Sequence, residues 1–137
     1  MPETASIYPQ TFRKKERLCS RKLLQEVALK GRNINQSEIR LAWLPVKLAI
    51  NTPLQTAFSV SKRNFKNSVD RNRIKRRMRE AYRRNKSTFF PLLVNQQTQF
   101  ALLFVYTGKE PISYSEIEVK IINLLSKLVE DIQKNNR

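Results

Sequence analysis

The chain of 137 residues has the length of one domain, and its hydrophobic share of 40% is enough for a packed core. Its formal net charge of +16 indicates a polyanionic partner, with nucleic acid favoured over an anionic membrane surface. The absence of histidine excludes Ser-His and Cys-His catalysis and histidine zinc sites, and the lone Cys19 excludes an intrachain disulfide.

The chain begins with a segment of little periodicity, followed by a basic helix. Residues 1–12 contain two prolines and are expected to form a loose N-terminal leader, ahead of one domain over residues 13–134. Residues 13–30 predict the first helix, for which Gly31 supplies a C-terminal stop. No apolar stretch is long enough for a membrane span, so we expect a cytoplasmic protein with no membrane contact.

Alternating and apolar stretches predict the strands. Residues 39–50 and 56–62 form the first two, and Pro45 indicates an edge strand, a bulge or a break. Residues 98–106, TQFALLFVY, are apolar on both faces, as in a strand inside a sheet. A last helix follows a capping-box pattern at 113–116. Its apolar stripe is expected to pack on the sheet and consists of Ile117, Ile121, Leu124, Leu125, Leu128 and Ile132.

A helix between the second and the last of these strands carries most of the charge. Residues 71–80 read RNRIKRRMRE, and the stretch 62–86 holds twelve basic and two acidic residues. One side is predicted to pack on a core, through the apolar stripe Ile74, Met78, Ala81 and Tyr82. An ordinary solvated face would interleave acids with bases, and a membrane helix would have a wider apolar face. The surplus of arginine therefore indicates phosphate binding.

These elements follow the order helix, two or three strands, helix, strand, helix. The order predicts an α+β or α/β sandwich with helices packed on a small sheet.

The strand before the basic helix has two chemically different faces. Alternation gives one face Phe58, Val60 and Lys62, and the other face Ala57, Ser59 and Ser61. The first face could stack a base and bind its phosphate, as single-strand platforms do, whereas the second offers two hydroxyls. The sequence leaves open which face is accessible and whether Phe58 and Val60 belong to the core. Trp43 is expected in the core.

Three stretches carry a resemblance to a known family. They are FSVSKR at 58–63, NSVDRNRIKRRMREAY at 67–82 and KKERLCSRKLLQEVALKG at 14–31. Together they resemble the protein subunit of bacterial ribonuclease P, over roughly residues 12–132. The resemblance implies an α+β fold, in the order α-β-β-β-α-β-α, with a small four-stranded mixed sheet. It also implies a left-handed β-α-β crossover, the opposite of the usual hand.

The resemblance implies an accessory role in an endoribonuclease holoenzyme. The catalyst would be the RNA subunit with bound Mg²⁺, and this RNA-binding chain would contribute no catalytic residue and no metal ligand. The reaction would be hydrolytic removal of the 5′ leader from precursor tRNA. The implied partners are the ribonuclease P RNA and that leader, with no DNA.

The resemblance also assigns residues to two surfaces. The surface against the RNA subunit is implied to consist of Arg71, Asn72, Arg73, Lys75, Arg76 and Arg79. The leader cleft is implied to involve Phe58, Val60, Lys62 and Arg63, provided that their strand face is the open one. The first helix of the family gives this cleft an aromatic pair. Here those positions hold Leu24 and Ala28, with Trp43 or Phe58 as candidate substitutes.

Three other functions fit parts of the sequence. A structural RNA-binding protein, such as a ribosomal component, shares the basic charge but would leave precursor cleavage unchanged. A DNA-binding regulator would place the basic helix in the major groove, with Asn72 and Arg73 reading bases. A self-sufficient metal nuclease would need converging carboxylates. The nearest set, Glu116, Glu118, Glu130 and Asp131, lies on or near one helix without a sign of a cleft.

Overall fold

The computed structural model describes residues 12–48, 52–94 and 98–135. After a short 3-10 helix, Lys14–Glu16, the elements are α1 (Arg21–Lys30), β1 (Arg32–Gln36), β2 (Ile39–Val46), β3 (Leu54–Val60), α2 (Ser68–Val94), β4 (Gln99–Tyr106) and α3 (Tyr114–Asn135). This is the predicted α+β fold with three α-helices and a four-stranded sheet.

The sheet is mixed and has the strand order β1-β2-β4-β3. β2 pairs antiparallel with β1 and β4, whereas β3 pairs parallel with β4. The connection from β3 to β4 runs through α2, so these three elements form a β-α-β unit. Its left-handed crossover stays a prediction. Pro45 lies beyond the last pair between β1 and β2, Arg32 with Trp43, so β2 is a local edge there, which is one of the three predicted alternatives.

Each face of the sheet is covered by different helices. One face packs against α2 and α3, and it carries the large aromatic core that includes Trp43, Phe100 and Phe104. The other face packs against α1 through a smaller cluster around Val27, Ala101 and Leu103. The predicted stripe on the last helix is confirmed, because Ile117, Ile121, Leu124, Leu125, Leu128 and Ile132 are at most 2% exposed. Within the described ranges, α1 is therefore the one α-helix on its side of the sheet.

The prediction of one helix over 13–30 is wrong in its first half. Within residues 13–30, only α1 is α-helical. After the 3-10 turn, Arg17 forms a parallel bridge with Thr56 of β3. The Leu18 amide donates to the Thr56 carbonyl at 2.9 Å. The Ser20 hydroxyl then caps α1 by accepting from the Leu23 amide at 3.3 Å. Pairing with a strand edge replaces the helical hydrogen bonds of this segment.

Several predicted boundaries also shift. Residues 1–11 of the expected leader lie outside the described residues, whereas Phe12 already packs against the core. The strand predicted over 39–50 ends at Val46, and residues 49–50 lie outside the described part. α2 extends to Val94, past the expected end near 86–90, with Pro91 inside it.

Candidate nucleic-acid interface

α2 positions the basic residues by a capped start and a buried stripe. The Asn67 side-chain oxygen accepts from the Val69 amide at 2.9 Å, and its carbonyl accepts from the Arg71 amide at 3.2 Å. The predicted apolar stripe is confirmed, since Ile74, Met78, Ala81 and Tyr82 are at most 1% exposed. This packing fixes the rotation of the helix and directs the arginines away from the core.

Some arginines of α2 bind other parts of the chain. Arg71 Nη1 donates to the carbonyls of Phe65 and Lys66, at 2.7 and 2.9 Å. Arg77 Nη1 donates to the Ile112 carbonyl at 2.9 Å, which ties α2 to the segment before α3. Arg71 and Arg77 therefore hold neighbouring loops in place, although each keeps further N–H groups for an external anion.

Arg83 forms an ion pair with Glu80 of the same helix. Its Nη2 lies 2.7 Å from Glu80 Oε2, three residues earlier. The hydrogen bond from the Arg83 guanidinium lowers the pKa of the Glu80 carboxyl. The Glu80 carboxylate is thus hydrogen-bonded to Arg83, and Arg84 also lies close enough to lower its pKa.

A further set of α2 residues, four basic and one amide, forms a surface that we call the arginine face. It consists of Asn72, Arg73, Lys75, Arg76 and Arg79. All are exposed except Lys75, which is half-buried. Within the described residues, no hydrogen bond or ion pair engages the side chains of Arg73, Arg76 and Arg79. Three unpaired guanidinium groups within two helical turns repel one another, and bound phosphates would relieve that repulsion.

The turn between β3 and α2 extends this positive surface to the sheet. Lys62 and Arg63 are exposed, and the Arg63 amide donates to the Ser61 hydroxyl at 3.2 Å. Asn64 Nδ2 donates to the carbonyls of Thr107 and Gly108, both at 3.2 Å, so the turn is fastened to the end of β4. Lys62 and Arg63 are therefore held at the carboxyl end of β3.

The face of β3 that carries Phe58 is the packed face. Phe58 stacks on Phe104 with ring centres 5.5 Å apart, and it meets Phe12 and Tyr82 edge to face at 5.8 and 5.7 Å. Val60 is 5% exposed. The condition for a leader role of Phe58 and Val60, an open strand face, is therefore not met.

Trp43 lies in the same core. It is 2% exposed and packs edge to face against Phe100 at 5.8 Å. Its ring is inaccessible to a base, so the structure places it where the sequence predicted it, and it cannot substitute for the missing aromatic pair.

The accessible sheet face lies beside α1 and is called the α1 cleft here. Ala57 and Ser59 of β3, Val105 of β4 and Arg40 of β2 are half-exposed along it. Arg40, Val105 and Ser59 form one row across the three strands. Arg40 Nε is buried and has no hydrogen-bond partner among the described residues, although the Arg40 residue as a whole is half-exposed.

At the two positions where the family has its aromatic pair, α1 carries aliphatic side chains. Leu24 is half-buried and packs against the cluster beneath α1, whereas Ala28 is exposed. Sequence alternation had separated the two faces of β3 but could not select the open one. The small side chains of Ala57 and Ser59 could have indicated the open face from the sequence, because the face that packs into an aromatic core needs larger residues.

Two negative findings apply to the described ranges 12–48, 52–94 and 98–135. No group of three or more His, Cys, Asp and Glu side chains is arranged to hold a metal ion there. In the same ranges, no helix is both long and apolar enough to cross a membrane.

Comparisons with known proteins identify one family. The family model for ribonuclease P matches residues 12–129. The ribonuclease P protein component of Petrotoga mobilis is 36% identical over 126 residues, which cover 87% of this chain and 96% of the relative. The component of Borrelia hermsii is 34% identical over 113 residues, covering 82% and 88%.

Solved structures show the same fold. The Staphylococcus aureus RNase P protein aligns with a TM-score of 0.64 at 20% identity, covering 82% of this chain and 94% of that one. The Thermotoga maritima protein aligns with a TM-score of 0.62 at 20% identity, covering 82% and 96%. These structures support the fold, and the family match with its curated relatives establishes membership: the chain belongs to the ribonuclease P protein family.

Proposed function

We propose that this chain is the RNA-binding subunit of a ribonuclease P holoenzyme that removes the 5′ leader of precursor tRNA in the cytoplasm. The arginine face carries the proposal, because Arg73, Arg76 and Arg79 are exposed on a capped helix and have no hydrogen-bond or ion-pair partner among the described residues. A-form RNA is bound mainly through backbone phosphates and shape, and a fixed row of guanidinium groups suits such a partner. The arginine face then docks on the ribonuclease P RNA.

The α1 cleft is the proposed place for the single-stranded leader. Ser59 offers a hydroxyl, Arg40 a half-exposed basic residue, and Lys62 and Arg63 two cations at the end of the same strand as Ser59. Ala57 and Val105 give a flat apolar floor beside them. Without an aromatic pair at Leu24 and Ala28, backbone contacts and apolar packing replace base stacking, so this cleft has little means of reading sequence.

The chemical step belongs to the RNA partner in this proposal. Among the described residues, no acidic cluster suits Mg²⁺. Mg²⁺ would be held by the RNA subunit, and this chain would hold and orient the leader.

Reconstitution tests the proposal. Purified chain, a bacterial ribonuclease P RNA and 5′-labelled precursor tRNA are mixed at low Mg²⁺, and leader release is followed. Cleavage that needs both RNA and protein is expected. Mg²⁺-dependent cleavage by the chain alone would instead identify a metal nuclease, and RNA binding without any effect on cleavage would identify a structural RNA-binding protein.

A charge-matched pair of variants tests the arginine face itself. Arg73→Ala with Arg76→Ala removes two charges from that face, and Lys127→Ala with Lys134→Ala removes two exposed charges from α3. Only the first pair should weaken binding to the ribonuclease P RNA. Equal losses would mean that net charge, rather than this surface, drives association.

A further inference from the structure

α2 contains a buried lysine that the arginine face does not use. Lys86 is 2% exposed, and its ammonium forms an ion pair with Glu16, which is 9% exposed and 70 residues away in the chain. The rings of Phe12, Tyr82 and Phe90 lie 5.6, 5.9 and 5.4 Å from Lys86 Nζ. The charge is thus enclosed by one carboxylate and three aromatic rings.

Glu16 connects this buried site to the start of α1. Its Oε2 accepts from the Arg13 amide at 3.1 Å and closes the 3-10 turn, while its Oε1 binds Lys86. The next two residues pair with Thr56 at the edge of β3. Gln55 Nε2 of the same strand donates to the Lys15 carbonyl at 3.0 Å. The chain then turns directly into α1, the wall of the α1 cleft.

Stability alone does not explain a charge in this place. Burial lowers the pKa of Lys86 although the Glu16 carboxylate beside it acts in the opposite direction. The ammonium is therefore held at a desolvation cost, and apolar replacements of such pairs are often neutral or stabilising. Apolar packing is not directional. Two charged groups with fixed hydrogen bonds, in contrast, specify one relative placement of the segments that carry them.

We propose that Glu16 and Lys86 form a positioning pair that fixes the start of α1 against α2 and so holds the α1 cleft in the geometry that receives the leader. Lys86 follows Arg79 by two helical turns, about 10 Å along α2. The pair thus links the helix that docks on RNA to the cleft wall. The leader half of this inference rests on the proposed function, whereas the placement of α1 does not.

Two variants separate positioning from stability. Glu16→Gln leaves the Lys86 ammonium buried without its anion, and it should lower the melting temperature and loosen the start of α1. Glu16→Gln combined with Lys86→Met removes both charges and should recover most of the melting temperature. Glu130→Gln, at an exposed position of α3, is the matched control. All measurements are made below the melting temperature of each variant.

Cys19 allows the placement of α1 to be measured without any RNA. It is the one cysteine of the chain, it is exposed, and it lies between the Thr56 contact and the Ser20 cap. A spin label on Cys19 should be equally mobile in the parent and in the control, and more mobile in both pair variants. A label that is no more mobile in the double variant than in the parent would overturn the proposal, because apolar packing would then suffice.

Binding to precursor and mature tRNA by unlabelled holoenzyme tests the functional half. The preference for leader-bearing tRNA should fall about fivefold in both pair variants, the factor that corresponds to about 1 kcal/mol. Affinity for the ribonuclease P RNA should not change. An unchanged leader preference beside a more mobile Cys19 label would refute the link to the cleft. A parent without leader preference would instead refute the proposed leader site, and the label would still decide the placement of α1.

Discussion

Replacing Phe58 by alanine should destabilise the fold and leave leader recognition unchanged. The Phe58 ring contacts Phe12, Tyr82 and Phe104, with ring centres 5.5 to 5.8 Å away. Removal of a packed phenylalanine costs about 3–5 kcal/mol, and because Phe58 is half-buried we expect the lower end, about 3 kcal/mol. In a domain of this size that loss lowers the melting temperature by about 10 °C.

Thermal unfolding and tRNA binding together test this reasoning. Val119→Ala, at a position 58% exposed on α3, is the control and should change stability by no more than about 0.5 kcal/mol. Below its melting temperature, Phe58→Ala should bind leader-bearing and mature tRNA with the parent's ratio of affinities. A selective loss of leader-bearing tRNA with little change in stability would refute the assignment of Phe58 to the core.

Three further predictions follow from the interface and the buried pair. Arg73→Ala should weaken binding to the ribonuclease P RNA and reduce the slope of log binding constant against log salt concentration by about one released counterion. The control Lys127→Ala should leave this slope unchanged. A parent-like slope for Arg73→Ala would place Arg73 outside the interface. Ser59→Leu fills the half-open floor of the α1 cleft, so the affinity for precursor should fall more than that for mature tRNA; equal changes would contradict the cleft assignment. Because burial lowers the pKa of Lys86, the unfolded chain binds that proton more tightly. The free energy of unfolding of the parent, measured by urea unfolding, should therefore rise relative to that of Lys86→Met as pH increases toward the ordinary lysine pKa of about 10.4. A difference between the two free energies that stays constant with pH would contradict a lowered pKa for Lys86.

The parts of the fold that were predictable are those whose pattern is local. The stripe on α2 and the stripe on α3 follow the 3.6-residue period, and both are buried as expected. The strand at 98–106 is a continuous apolar run, and as β4 it lies between two other strands. In each case the side chains alone determine which surface must leave water.

The first helix shows where local pattern fails. Residues 13–20 have ordinary helix-forming side chains, yet Glu16 pairs with Lys86 and Leu18 pairs with Thr56. Both partners are distant in sequence, and their contacts replace intrahelical hydrogen bonds. Tertiary contacts of this kind override a weak intrinsic preference for helix, which sums to little over a few residues.

The candidate site also has features that the sequence predicts and features that depend on tertiary contacts. Composition gave the sign and density of charge on α2, but not which arginines are free. Arg71 and Arg77 bind loop carbonyls, whereas Arg73 has no such partner among the described residues. Alternation likewise separated the faces of β3, but the covering of each face depends on where α1 and α2 cross the sheet. A stretch of like charge thus contains both arginines that fasten loops and arginines that stay exposed, and only the positions of distant carbonyl groups distinguish them.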